Sequence, residues 1–313
     1  MALNVSLTSL IGQVQLLSDN HRLTNPQITG FINQGYTMLW DKLTEAYGSD
    51  YNLKQCQFNT VSSITTYPLS YDVSFTNATG VFTVGLTVTG GTSSKTGIIR
   101  SINYNGSVTT NGTLSLSDLS FNGSGSTGFT VNETITDTGT GSAKYTANNS
   151  GCGAADFYKL RGFDVQYQGT QYLPLKPYIW KDRNAYTNAY AAFGQFPGTY
   201  LRYHLQGDSV NFTPTPNSSN LIRLSYTPTP NLLVNLTDVL NGVSGWEQYI
   251  INFAAIQCLV NEETDASQIR AQQSEIENRI TKMAVNRDSG EATQVAAASE
   301  SDNDWGPFGF GGW

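Results

Sequence analysis

The sequence predicts an α+β protein: a helical bundle with a small antiparallel β-domain, an inserted all-β module and an extended C-terminal arm. Three observations predict it. Apolar residues recur at helical spacing at both ends of the 313-residue chain, alternating segments lie between them, and a Gly- and aromatic-rich tail follows the last helical pattern.

The first helix is read from Leu3, Leu7, Leu10, Ile11, Val14 and Leu17. A polar break over residues 18–22 leads to Asn25-Pro26, and Pro in a first turn opens a second helix. Its stripe is Ile28, Ile32, Tyr36, Leu39 and Leu43, ending near Ala46. Residues 51–72 then alternate, in Gln57-Phe58-Asn59 and Ile64-Thr-Thr-Tyr67, which predicts two short antiparallel strands stopped by Pro68.

Residues 76–150 are rich in Gly, Ser, Thr and Asn, have no helical period and contain a repeat. Phe82-Thr-Val-Gly-Leu-Thr-Val-Thr-Gly aligns with Phe129-Thr-Val-Asn-Glu-Thr-Ile-Thr-Asp, each followed by a Gly-rich turn. Alternation repeated twice predicts a β-module rather than a linker, with Phe82 and Phe129 at equivalent core positions.

Beyond the module, residues 154–160 are either a helical turn or an extended segment. Residues 162–168 and 170–173 flank Gly169 as a hairpin, and 176–193 read as a helix. Residues 199–204 and 209–212 pair across Gly207-Asp208, with 220–226 as the third strand of that sheet. The helix over 246–263 is apolar almost all round, through Tyr249, Ile250, Ile251, Phe253, Ala254, Ala255, Ile256, Leu259 and Val260. That makes it the buried spine. The helix over 267–288 carries only a thin stripe, Ile269, Ile276, Ile280 and Met283, which requires the spine as its partner. Ser244 with Glu247, and Asp265 with Gln268, have the spacing of capping boxes.

Composition narrows the class. Charged residues make up only 13%, and no apolar run reaches the roughly 18 residues of a membrane span. The Met-Ala-Leu-Asn-Val start lacks the basic and apolar regions of a secretion signal. Cys56, Cys152 and Cys258 are odd in number and have no metal-ligand spacing, which predicts free thiols in a reducing compartment. Of the net charge of −7, five charges sit on Asp288, Glu291, Glu300, Asp302 and Asp304, leaving about −2 on the rest. No basic stripe stands out, so tight nucleic-acid binding is not expected.

Catalytic chemistry is not expected either. His21 lies in a polar connection and His204 in a strand beside Tyr203. Glu262 and Glu263 are adjacent on a helix and point about 100° apart, unlike a glycosidase pair. Gly139-Thr-Gly141 is not followed by a helix, so it is no phosphate cradle. No catalytic residue, metal ligand or cofactor is predicted. The tail ends Trp305-Gly-Pro-Phe308-Gly-Phe310-Gly-Gly-Trp313, where Gly and Pro forbid a helix. Trp305, Phe308, Phe310 and Trp313 are therefore expected to dock in pockets of another subunit.

Several segments carry a family resemblance. They are Ile28-Thr-Gly-Phe-Ile-Asn-Gln-Gly-Tyr-Thr-Met-Leu-Trp-Asp-Lys-Leu-Thr-Glu-Ala-Tyr47, Phe157-Tyr-Lys-Leu-Arg-Gly-Phe-Asp164, and Leu259-Val-Asn-Glu-Glu-Thr-Asp265 followed by Asn286-Arg-Asp-Ser-Gly-Glu291. In that order they resemble the head–tail adaptor (connector) proteins of short-tailed bacteriophages, while 76–150 looks like β-modules of assorted phage structural proteins. The resemblance implies an adaptor core over 1–75 and 151–288, an inserted module over 76–150 and an arm over 289–313. It implies a structural virion protein, assembled in the host cytoplasm and located at the head–tail junction, in a ring of twelve beneath the portal. Its partners would be the portal protein, through the aromatic arm, and tail nozzle and fibre proteins below. DNA would pass through the channel without specific binding, and no membrane is involved. The alternative is a tail-associated glycan-binding or fibre-docking protein acting through exposed aromatics of the β-module, for which Tyr104, Phe121 and Phe129 are the large candidates apart from Phe82 and Tyr145, although Phe82 and Phe129 are read as core.

Overall fold

The computed structural model describes residues 5–19, 22–48, 51–105, 109–124, 128–146, 151–186, 201–243 and 245–284. Helix α1 (Leu7–Ser18) starts where the Ser6 side chain accepts from the Ser9 amide, and it buries Leu7, Leu10, Ile11 and Val14. Helix α2 (Asn25–Ala46) begins with Pro26 and is capped by Gln27, whose Oε1 accepts from the Thr24 amide at 2.9 Å. Helices α3 (Glu247–Asn261) and α4 (Ser267–Ala284) form the terminal hairpin. All four α-helices among the described residues contribute to one core through Val14, Ile32, Tyr36, Ile250, Ala254 and Ile280. Gly35 sets how closely α2 and α3 approach, because a Cβ there would lie 2.9 Å from the Phe253 ring.

Strands, however, dominate the fold. The antiparallel sheet of β1 (Lys54–Asn59), β9 (Phe157–Gln168), β10 (Gln171–Pro174) and β14 (Leu221–Pro228) has the order β1-β14-β9-β10. A second sheet has the order β11-β12-β13-β2, from β2 (Thr66–Pro68), β11 (Lys176–Pro177), β12 (Arg202–Gln206) and β13 (Ser209–Thr213). The two sheets share a core built on Phe58, Tyr67, Phe163, Phe212 and Tyr226. The remaining strands are β3 (Tyr71–Thr76), β4 (Thr87–Gly90), β5 (Thr96–Tyr104), β6 (Gly112–Ser117), β7 (Thr134–Asp137) and β8 (Ser142–Tyr145). They close into a barrel in the order β3-β6-β5-β4-β7-β8. Closure comes from β3 on β8, where Phe75 faces Tyr145, so the barrel has no free edge.

The expected helical bundle with a small β-domain is thus overturned. Three sheets, one of them a closed barrel, make the described chain mostly β, and the helical cluster is one core of three. Helical periodicity is a loud signal over a 22-residue element such as α2. Strands of four to six residues announce themselves only by brief alternation, so the ends of the chain outweigh its middle.

Local expectations are corrected as well. Residues 221–228 do not extend the β12–β13 pair; they form the centre of the other sheet, between β1 and β9. The partner of β13 is instead β2, and β1 and β2 lie in different sheets. The helix read over 176–193 starts as a strand running parallel to β12, because Pro177 holds Lys176 extended, and Trp180–Tyr186 form a 3-10 helix, while 187–193 lie outside the described residues. Asp265 does not cap through Gln268; it accepts from Ser267 N at 2.9 Å and Ser267 Oγ at 2.8 Å. Ser244 lies outside the described residues, and Glu247 accepts from the Gly245 amide instead. Met283 is 47% exposed, leaving Ile269 and Ile280 as the buried part of the α4 stripe.

In the barrel the repeat becomes visible as pseudo-symmetry. Strands β4 and β7, the Thr-Val-Thr and Thr-Ile-Thr copies, pair antiparallel with Thr89 facing Thr136. The equivalent residues Gly85 (φ 89°) and Asn132 (φ 68°) both take the left-handed conformation that Gly and Asn tolerate. Phe82 and Phe129 are both in the barrel core, and Tyr145 is buried with them.

Candidate functional site at the junction of barrel and sheets

Four charged side chains meet where the barrel abuts the first sheet. Lys54 comes from β1, Arg100 from β5, Asp118 from just after β6, and Asp156 from just before β9. The Asp156 side chain is only 2% exposed. Its carboxylate accepts from Lys54 Nζ at 2.5 Å, Arg100 Nη2 at 3.4 Å and the Tyr226 hydroxyl at 2.7 Å. Asp118 accepts from the same two cations, at 2.7 Å from Lys54 and 2.8 Å from Arg100. Arg100 also donates to Ser117 Oγ at 2.6 Å and to the Asn231 side chain. Two cations shared between two carboxylates therefore bridge module and body, each charge compensated in a partly dry setting.

Burial works against ionisation of Asp118, but Lys54, Ser117 and Arg100 outweigh it and hold its carboxyl below the usual range. Burial, reinforced by the Asp156 charge, pushes the Cys56 thiol up to about 12 and raises the Tyr226 hydroxyl further still. The thiol and phenol stay protonated at neutral pH, so this cluster is a clamp rather than a nucleophile with its base. Among the described residues no group of three or more His, Cys, Asp and Glu side chains gathers to hold a metal ion.

Beside the clamp lies a groove of about 420 Å³, lined by Thr37, Val84, Arg100, Pro230, Leu232 and Val234. The loop forming one wall is firmly held. Asp238 Oδ2 accepts from the Val234 and Asn235 amides at 2.8 and 2.7 Å, and Asn33 exchanges hydrogen bonds of 2.9 Å with Leu233 N and O. Yet Leu232, Val234 and Leu236 on that loop are 57%, 57% and 54% exposed. Apolar side chains fixed in solvent by a hydrogen-bonded loop are pre-organised for contact with another surface.

The arm residues Trp305, Phe308, Phe310 and Trp313 lie outside the described residues, as does His21. His204 sits in β12 with Nδ1 3.3 Å from the Tyr178 carbonyl oxygen, and its ring packs on Tyr178 and Trp180. Glu262 and Glu263 close α3, where Glu263 adopts φ 56°. The amides of Gly139 and Gly141 donate to Asp137 Oδ1, so that loop is satisfied from within. Of the module aromatics proposed as exposed, Tyr104 and Phe121 are packed against the barrel core. The clamp itself escapes sequence reasoning, because its members are spread from 54 to 156. The usable signal is Arg100, the one Arg within 76–150. Compared with known proteins, the chain matches no protein-family model and no curated protein.

Proposed function

We propose that this chain is a structural virion protein, a head–tail adaptor that forms a ring beneath a phage portal, extends the DNA channel and offers a platform for nozzle and fibre proteins. The observation that carries the reading is the rigidly held loop of Leu232, Val234 and Leu236, whose exposed apolar side chains suit a permanent neighbour in an assembly. Support also comes from the ordered resemblance of the segments at 28–47, 157–164 and 259–291, and from the tail, where four large aromatics follow the last described helix without a core pattern of their own. In this reading the neighbour on the loop is a second copy of the chain, and the arm over 289–313 reaches the portal.

Deletion of 289–313 tests the arm. The truncated protein is expected to keep its thermal unfolding transition and lose co-sedimentation with portal rings. Undiminished co-sedimentation would sink the arm assignment. Leu232→Asp with Val234→Asp is expected to shift the full chain from rings to monomers in analytical ultracentrifugation.

A further inference from the structure

The corner formed by the 3-10 turn and β12 carries charge that the described residues leave without an ion pair. Residues 176–186 and 201–206 hold four cations, Lys176, Lys181, Arg183 and Arg202, against one carboxylate, Asp182, in a chain of net charge −7. The intervening stretch 187–200 contains no Asp or Glu. Among the described residues none of the four cations makes an ion pair. Lys176 and Arg202 are register partners on neighbouring parallel strands, so two like charges are set side by side. Within one folded chain that pairing is unfavourable.

The arginines are also held in position. The Arg183 guanidinium lies over the Trp180 ring, 5.0 Å from its centroid, and donates to the Trp180 carbonyl oxygen at 3.1 Å. Arg202 lies over the Tyr186 ring at 4.3 Å. Trp180 is in turn packed on His204, with ring centroids 5.5 Å apart, and remains 44% exposed beside Ile179 at 63%. The rings thus brace the guanidiniums, and a stacked guanidinium keeps its in-plane N–H donors free for an anion.

We propose that this corner is a sequence-independent contact surface for the phosphate backbone of DNA. Charge complementarity selects a polyanion. Because Trp180 and Tyr186 each already have an arginine over a ring face, phosphate contact is favoured over base stacking, and duplex should serve as well as single strand. Such a contact is weak and salt-labile, as suits DNA that must move on. It would give the adaptor reading a DNA-facing surface but does not depend on it, since the assay needs neither portal nor ring.

The test is fluorescence anisotropy of a labelled 30-base-pair duplex with the full chain, from low to physiological salt. Wild type is expected to bind with a dissociation constant in the range of about 10⁻⁶ to 10⁻⁴ M. Arg183→Ala/Arg202→Ala should weaken binding about tenfold at low salt and reduce the log–log salt slope by about 2. The charge-matched control Lys144→Ala/Lys282→Ala should stay near wild type, and Arg183→Lys/Arg202→Lys should fall between wild type and the Ala pair. Unchanged thermal unfolding verifies that each variant is folded. No binding by wild type would overturn the proposal, as would equal losses in the Ala pair and the control. Much tighter binding of single strand, abolished by Trp180→Ala, would overturn the phosphate mode. Capture of a peptide of residues 289–313 with no binding of duplex would assign the corner to the acidic arm instead.

Discussion

Replacing Asp156 by Ala should strip the junction clamp of its buried acceptor. Three donors lose it, and they do not suffer equally. Lys54 and Arg100 each keep Asp118, at 2.7 and 2.8 Å, so neither cation is left alone. Tyr226 is fully buried, and its hydroxyl has no other acceptor among its described hydrogen bonds. Leaving that hydroxyl unsatisfied costs about 1–3 kcal/mol. Removing one partner from a buried ion pair costs about 3–5 kcal/mol, and the surviving Asp118 contacts offset part of it. The expected total is about 3–4 kcal/mol for Asp156→Ala, against about 1 kcal/mol for Tyr226→Phe, which removes the donor and leaves the carboxylate to its cations. The assay is urea unfolding of the two variants followed by tryptophan fluorescence and far-UV circular dichroism. A double-mutant cycle with Lys54→Met should give a coupling of about 1–3 kcal/mol. If Asp156→Ala shifts stability by less than 1 kcal/mol with zero coupling to Lys54, the cluster is ornamental and the account of the junction is wrong.

Further predictions concern the cores and the acid limb. Phe129→Ala empties a buried barrel position that packs on Phe121 and Tyr145 and should cost about 3–5 kcal/mol by urea denaturation; a loss below 1 kcal/mol would contradict the barrel core. Gly35→Val should cost about 1–3 kcal/mol, because the new side chain meets Phe253 across the α2–α3 contact, whereas the same change at Gly30, with open space around it, should cost less. Burial opposes ionisation of Glu133, but amides of Ser93, Thr130 and Thr92 and the Ser93 hydroxyl outweigh it, so its folded pKa is lowered. A lowered carboxylate stabilises the fold fully above its unfolded pKa of about 4.3 and loses that contribution as pH falls through the folded value. Glu133→Gln should therefore lower stability at pH 7 and flatten the acid decline below about pH 4; an unchanged acid profile would refute this.

What the sequence makes legible follows the length of each physical signal. The stripes Leu7-Leu10-Ile11-Val14 and Ile28-Ile32-Tyr36-Leu39 place α1 and α2 within a few residues, because several turns of period repeat the same message. The Phe82 and Phe129 copies reveal the barrel's internal symmetry, although not its closure, which depends on β3 meeting β8 across the whole module. Strand partners are not legible where contact is long-range. Nothing near Leu221 says that it belongs beside Asn59 rather than Phe212, since only the folded core decides. The junction clamp is invisible for the same reason: Lys54, Arg100, Asp118 and Asp156 are ordinary surface-type residues until β1, β5, the end of β6 and the start of β9 bring them together. The cationic corner is not legible in the sequence either, because Arg202 comes beside Lys176 only through the parallel pairing of β11 and β12.

The central claim, assembly on a portal, is tested most directly by electron microscopy of the purified full chain mixed with portal rings. The account predicts a second ring stacked coaxially beneath each portal, lost when residues 289–313 are removed. Portals that remain bare at saturating concentrations of the folded full-length chain would contradict it.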